Sequence, residues 1–177
     1  TVRPSILASS KADLCVYGMG EAPILEIAGR LATGESVRDL RDLRGVAYLL
    51  GAKEETPPFP HGARTKTTPV DDTKELPSFE DVAADKVAFA KATAAIHKES
   101  NPFNARRLLQ RHGGRVLVQN PPQLPLDAED MDRIYDLPYR RRAHPAYDAP
   151  IPAEEMMRTS VTIMRGCFGG CSFCSIT

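Results

Sequence analysis

The residues of this sequence best equipped for chemistry are three cysteines close together near its end. Cys167, Cys171 and Cys174 are separated by three and then two residues, so short a span that all three thiols can converge on one metal centre. Disulfides among them would close only tiny, strained loops, and four cysteines in 177 residues are too few for a disulfide scaffold. Gly166, Gly169 and Gly170 lie between and beside them. Glycine turns the backbone tightly, through positive φ where needed, and lets amide N–H groups approach metal-bound sulfur. A four-iron cluster is ordinarily held by four cysteines, so three thiolates leave one iron open, as catalytic zinc sites keep one position free. The alternative on ligand counting is zinc, held by the same three thiolates and a histidine such as His144. Cys15 sits in an apolar run and reads as a small core residue, outside the site.

Composition narrows the setting. With 42% hydrophobic and 26% charged residues, the chain has the balance of an ordinary globular protein. Twenty-three basic residues offset twenty-three acidic ones, so no global field draws in nucleic acid or an anionic membrane, and any such patch must be local. No stretch approaches the roughly 18 to 20 apolar residues of a membrane span, and the opening Thr-Val-Arg-Pro-Ser has neither a signal-like apolar core nor an initiator Met. A cytoplasmic location and a trimmed N-terminus are expected.

The elements that must carry the cysteines read as α/β. Residues 11–17 form a strand that stops at Gly18-Met19-Gly20. Ile24, Ile27, Ala28 and Leu31 then recur at helical spacing, with Pro23 in the first turn and Gly34 past the end. Val46 to Leu50 reads as a second strand. Residues 52–77 hold Pro57, Pro58, Pro60, Pro69 and Pro77 and read as an extended connection or edge hairpin. Ser78 with Asp81 starts a helix whose face carries Phe79, Val82, Phe89, Thr93 and Ile96, and Asn101-Pro102 stops it. A further helix is expected over residues 104–112, a strand over residues 115–119, and a short helix from Asp127 to Tyr135. Residues 137–152 are Pro-rich and include Arg140, Arg141 and Arg142. Val161 and Ile163 alternate with Thr162 and Met164 in a final strand that runs into Arg165-Gly166-Cys167.

The loop, with its preceding strand and the aromatic Phe173 just before the last cysteine, resembles the radical S-adenosylmethionine (SAM) signature. Residues 160–177 as a whole resemble the YgiQ family of radical SAM proteins. So do residues 5–21, ending Tyr-Gly-Met-Gly-Glu, and Asn120-Pro121-Pro122 with Pro125-Leu126. Residues 131–139 and His144-Pro145-Ala146-Tyr147 before Ile151-Pro152-Ala153-Glu154 complete the ordered set. The resemblance implies a 4Fe–4S cluster on Cys167, Cys171 and Cys174, with SAM on the open iron and Phe173 near its adenine. It further implies a flavodoxin- or ferredoxin-like electron donor and reductive cleavage of SAM to a 5′-deoxyadenosyl radical, on a substrate the sequence does not name. The fold it implies is the C-terminal part of a Rossmann-like, cobalamin-binding-like domain over residues 1–77 and a linking region over residues 78–150. Residues 151–177 would then be the first strand and cluster loop of a radical SAM partial barrel. The remaining barrel strands, most SAM contacts and the substrate pocket fall outside these residues. An Asp-x-His-x-x-Gly cobalamin signature does not occur in these residues, which therefore give cobalamin binding no support.

Two other readings compete. The cysteines could serve a non-catalytic zinc- or iron–sulfur-binding interaction module. Gly18-Met19-Gly20-Glu21 could open a nucleotide-binding turn, although a Gly-x-Gly without a third glycine reads first as a structural turn. Arg140 to Arg142 read as a solvated or carboxylate-paired segment, and nucleic acid is not indicated. His61, His97, His112 and His144 have no acid or nucleophile placed beside them in a catalytic pattern.

Overall fold

The computed structural model describes residues 2–57, 59, 73–167, 169 and 171. The expectations placed on His61, Phe173, Cys174 and most of the proline-rich connection lie outside those residues. The chain forms two compact units, residues 1–127 and 128–177.

The first unit is a mixed α/β structure. It opens with a one-turn helix α1 (Ile6–Ser10) that the sequence reading did not anticipate. The Ser5 hydroxyl caps it by accepting from the Leu7 amide, and Leu7 is buried. Strand β1 (Cys15–Val16) follows, then α2 (Glu21–Ala32), whose entry turn places Gly18 at φ +70°. A 3-10 turn (Asp39–Asp42) leads into β2 (Val46–Leu50), with the bounds expected for that strand. Beyond the connection come β3 (Thr73–Glu75), α3 (Phe79–Ala84), α4 (Lys86–Lys98), β4 (Arg107–His112) and β5 (Arg115–Gln119).

The five strands make one sheet in the order β1-β2-β5-β4-β3. Only the β3–β4 pair is parallel. Since β1 and β2 run antiparallel, α2 between them is not the parallel crossover of a Rossmann-like unit. Strands from both sides of residue 77 pair with each other, so residues 1–77 and part of 78–150 build the same sheet. Strand β2 lies at its heart. Val46, Tyr48 and Leu50 share a face by the two-residue period and are essentially inaccessible; Leu40 and Leu43 pack with Val46, and Val118 packs with Tyr48 and Leu50. From α2, Pro23 is buried and Ile27 packs against this core, while Ile24, Leu25 and Leu31 stay exposed.

Three expectations change. The single long helix from residue 79 is two, because Asp85 is extended (φ −123°, ψ 124°) and its carboxylate accepts from the Val87 and Ala88 amides, which starts α4 afresh. Of its expected inner face Val82 is buried, but Phe89, Thr93 and Ile96 are exposed and Ala92 points inward instead. Residues 107–112, expected in a helix, form β4. His112 pairs with Arg115 across Gly113-Gly114, and Gly113 takes φ +57°, so the glycines make a hairpin rather than a helix end. Residues 161–164 pair with no strand among the described residues, and Val161, Ile163 and Met164 are exposed. A strand is a property of two neighbouring chains, and alternation alone does not supply the second.

Asn120, at the end of β5, is 1% exposed and closes the core with both side-chain N–H donors and its side-chain oxygen engaged. Its amide nitrogen donates to the carbonyls of Arg41 (2.8 Å) and Leu43 (2.7 Å), and its amide oxygen accepts from Arg107 Nε (3.1 Å). Its backbone N–H donates to Val46, and its carbonyl accepts from the Tyr17 hydroxyl. Asn120→Ala strands two buried carbonyls and part of a buried guanidinium, and should cost about 3 kcal/mol or more of stability in urea unfolding. A loss under about 1 kcal/mol would remove Asn120 from this role.

Burial pushes the Tyr17 phenol up to about 12 and raises that of Tyr48 as well. The folded chain therefore keeps phenolic protons that the unfolded chain releases near pH 10. Stability should be intact below about pH 10 and fall as pH climbs through about 12. Urea midpoints measured from pH 9 to 12 should drop less steeply in Tyr17→Phe, and an unchanged slope would show that Tyr17 does not carry the effect.

No helix among the described residues is long and apolar enough to cross a membrane.

Candidate metal centre

The second unit contains α5 (Ala128–Tyr135), α6 (Pro152–Met157) and the segment that leads into the cysteines. Pro152 begins α6, where its missing N–H costs nothing. No residue of α5 or α6 is buried. Tyr135, read from sequence only as a helix end, makes two long contacts to the approach to the cysteines. Its hydroxyl reaches the Thr162 carbonyl at 3.5 Å, and the Arg165 guanidinium lies over its ring at 5.9 Å. Its position at the end of an amphipathic helix was the available signal, but the partners are 27 and 30 residues away in sequence.

Gly166, at φ +82°, turns the chain immediately before Cys167. A side chain there would be strained regardless of the space around it. Cys167 and Cys171 are both exposed free thiols. The Gly169 amide donates to Cys167 Sγ at 3.3 Å, and Cys171 Sγ lies 3.9 Å from the Gly169 carbonyl oxygen. A Cβ on Gly169 would stand 3.3 Å from Cys167 Sγ and 3.6 Å from Cys171 Sγ. The two sulfurs thus flank the same point, where an added methyl would be tight against Cys167 and in ordinary contact with Cys171. An amide N–H already directed at sulfur is the kind of contact that tunes metal-bound thiolates. These residues fit a thiolate-bound metal. Cys174 and Phe173 lie outside the described residues.

The other candidates do not join them. Cys15 is half-buried on β1 in the first unit, where its thiol faces the Val16 carbonyl. His144 is exposed and its Nδ1 accepts from the Ala146 amide at 3.1 Å, in a local turn. Among the described residues no three His, Cys, Asp or Glu side chains gather as a metal site, so Cys167, Cys171 and His144 do not form the zinc set considered from sequence. His112 stacks on Phe79 at 5.0 Å, and burial lowers its pKa. At Gly18 to Glu21 the chain simply turns into α2, and Gly20 caps the helix without a side chain.

The chain thus joins an α/β unit to a loop in which glycines sit among exposed free thiols. Residues 1–160 match the family described as radical SAM N-terminal. The chain is similar to a UPF0313 protein of Rhodopseudomonas palustris, 52% identical over 99% of this chain and 27% of the relative. It is similar to a UPF0313 protein of Geobacter sulfurreducens, 49% identical over 99% of this chain and 27% of the relative. It is also similar to UPF0313 protein YgiQ of Escherichia coli K12, 43% identical over all of this chain and 30% of the relative. The chain belongs to the radical SAM N-terminal family and, within it, to the UPF0313 group that includes YgiQ. It spans less than a third of the length of these relatives. No solved structure matches it.

Gly169→Ala should crowd Cys167 Sγ and displace it from the Gly169 amide. In a Co²⁺ titration of the reduced full-length protein, read by thiolate-to-metal charge-transfer absorbance, affinity should fall roughly tenfold. Unchanged affinity would mean that the space at Gly169 is not what brings the sulfurs together.

Proposed function

We propose that the protein carrying this chain is a radical SAM enzyme whose cluster is held by Cys167, Cys171 and Cys174. The observation that carries this reading is the pair of sulfurs flanking Gly169, with its amide directed at Cys167 Sγ, in a chain of the radical SAM N-terminal family. When bound, the 4Fe–4S cluster supplies the electron that cleaves SAM reductively to a 5′-deoxyadenosyl radical, which takes a hydrogen atom from the substrate. The chain's own part is binding and orientation. Cys167, Cys171 and Cys174 would hold the cluster and leave one iron open to SAM, Gly166 and Gly169 shape the turn that presents the thiols, and Phe173 would be the aromatic for the adenine. On this reading residues 151–177 open a radical SAM partial barrel, and Tyr135 braces the approach to it through Thr162 and Arg165. The Rossmann-like description of residues 1–77 is not carried forward, because β1 and β2 are antiparallel. The electron donor is flavodoxin- or ferredoxin-like, and exposed free thiols suit the reducing cytoplasm.

Anaerobic reconstitution of the full-length protein with iron and sulfide tests the proposal. The expected result is about four irons per chain. The electron paramagnetic resonance signal of the reduced cluster should change on adding SAM, and dithionite should then yield 5′-deoxyadenosine. Cys171→Ser should lose most of the iron and all of the product. One zinc and no iron in the wild-type protein, or an iron cluster indifferent to SAM, would instead favour a non-catalytic metal-binding module.

A further inference from the structure

A cavity of about 760 Å³ opens in the second unit, within the size range of small-molecule sites. Its charge is lopsided. Arg140, Arg141, Arg142, Arg158 and Arg165 all line it, while Glu154 is the single carboxylate among the described lining residues. The whole chain carries no net charge, so this is a local concentration of five guanidinium groups that composition conceals. Arg140, Arg141, Arg142 and Arg158 make no ion pair among the described residues, which sets aside the carboxylate-paired reading of the arginine run. The backbone also serves this arrangement. Consecutive residues of an extended chain face opposite ways, yet three consecutive arginines line one cavity, and the middle one, Arg141, sits at φ +52° in the left-handed region that turns the chain between its neighbours.

Between the arginines the lining is mainly apolar, with Ile134 and Met157 among its residues, and two tyrosines contribute aromatic surface. Tyr135 already carries the Arg165 guanidinium over its ring, while Tyr139 is 57% exposed. Guanidinium forks match phosphate oxygens bidentately, and guanidinium and phenol faces both stack on flat heteroaromatic rings. A ligand that satisfies both halves of the lining is a planar base joined to a phosphate. SAM is not that ligand, since it bears a sulfonium cation and no phosphate. We propose that this cavity binds a nucleotide, with the phosphate on Arg140, Arg142 and Arg158 and the base against Tyr139.

The proposal is tested on the full-length protein without iron or SAM, so its outcome is separable from that of the cluster assignment. Calorimetry would compare adenosine monophosphate (AMP), adenosine and inorganic phosphate, and fluorescence anisotropy would follow a labelled single-stranded RNA ten-mer. AMP should bind at least tenfold more tightly than adenosine or phosphate. Arg140→Gln with Arg142→Gln should weaken AMP at least tenfold, and Arg158→Gln should weaken it separately. Tyr139→Ala should weaken AMP and leave phosphate unchanged. A ten-mer binding at least tenfold more tightly than AMP identifies the nucleotide as part of a strand, and weaker binding identifies it as free; either supports the site. Absence of binding by both AMP and the ten-mer, or wild-type affinity in both arginine variants with unaltered circular dichroism, would overturn it.

Discussion

One buried side-chain amide governs how the first unit closes. A polar group sealed from water must find partners inside the protein or forfeit its hydration, and Asn120 finds them on four different segments. Through Arg41 and Leu43 it fastens the turn before β2, through Val46 the start of that strand, through Arg107 the start of β4, and through Tyr17 the exit of β1. Arg107 is itself buried and reaches the Pro57 carbonyl at 2.6 Å, with the Phe59 ring 4.9 Å beneath its guanidinium. The chain then leaves through Pro121, whose carbonyl accepts from Gly45 at 2.8 Å. Gly45 can lie so close only because it has no side chain: at φ +69°, a Cβ there would stand 3.2 Å from Gln123 Cβ.

The second unit is organised by other means. Its two helices bury no residue, and Met156, Met157, Val161 and Ile163 are all exposed. Local devices shape it instead: a proline at a helix start, the Tyr135 contacts and the glycine turns around the thiols. If the proposed cluster binds, its bonds to the thiolates would add order to a region with little buried area, because metal affinity and the folding of the ligand-bearing chain are linked.

Electrostatics follow the same division. In the first unit charges are neutralised where they lie: Arg30 reaches Glu35 and Asp42, both at 2.7 Å, and Glu99 holds Arg106 at 2.6 Å. In the second unit Arg140, Arg141, Arg142 and Arg158 line the cavity from two stretches of chain and make no ion pair among the described residues. A neutral composition is compatible with a strongly positive site because the field near a cleft depends on placement rather than on the sum.

Local features were legible in the residues alone. The cysteine spacing, the glycines among them, β2 as a continuous apolar run and α2 with its early proline each express a preference settled within a few residues. The family, too, is inscribed in the order of short segments along the chain. What the residues could not settle were matters of pairing. Residues 107–112 have a period that suits a helix until Arg115 to Gln119 arrive beside them across two glycines, and residues 161–164 have a strand's alternation without a neighbour. Asn120, just past the strand over residues 115–119, became the hub of the core, and Arg158 and Arg165 came to share a cavity with Arg140 to Arg142. Propensity and spacing are properties of a short stretch of chain, whereas ladder pairing, burial of a polar group and convergence of charge exist only between stretches, so the tertiary structure alone decided them.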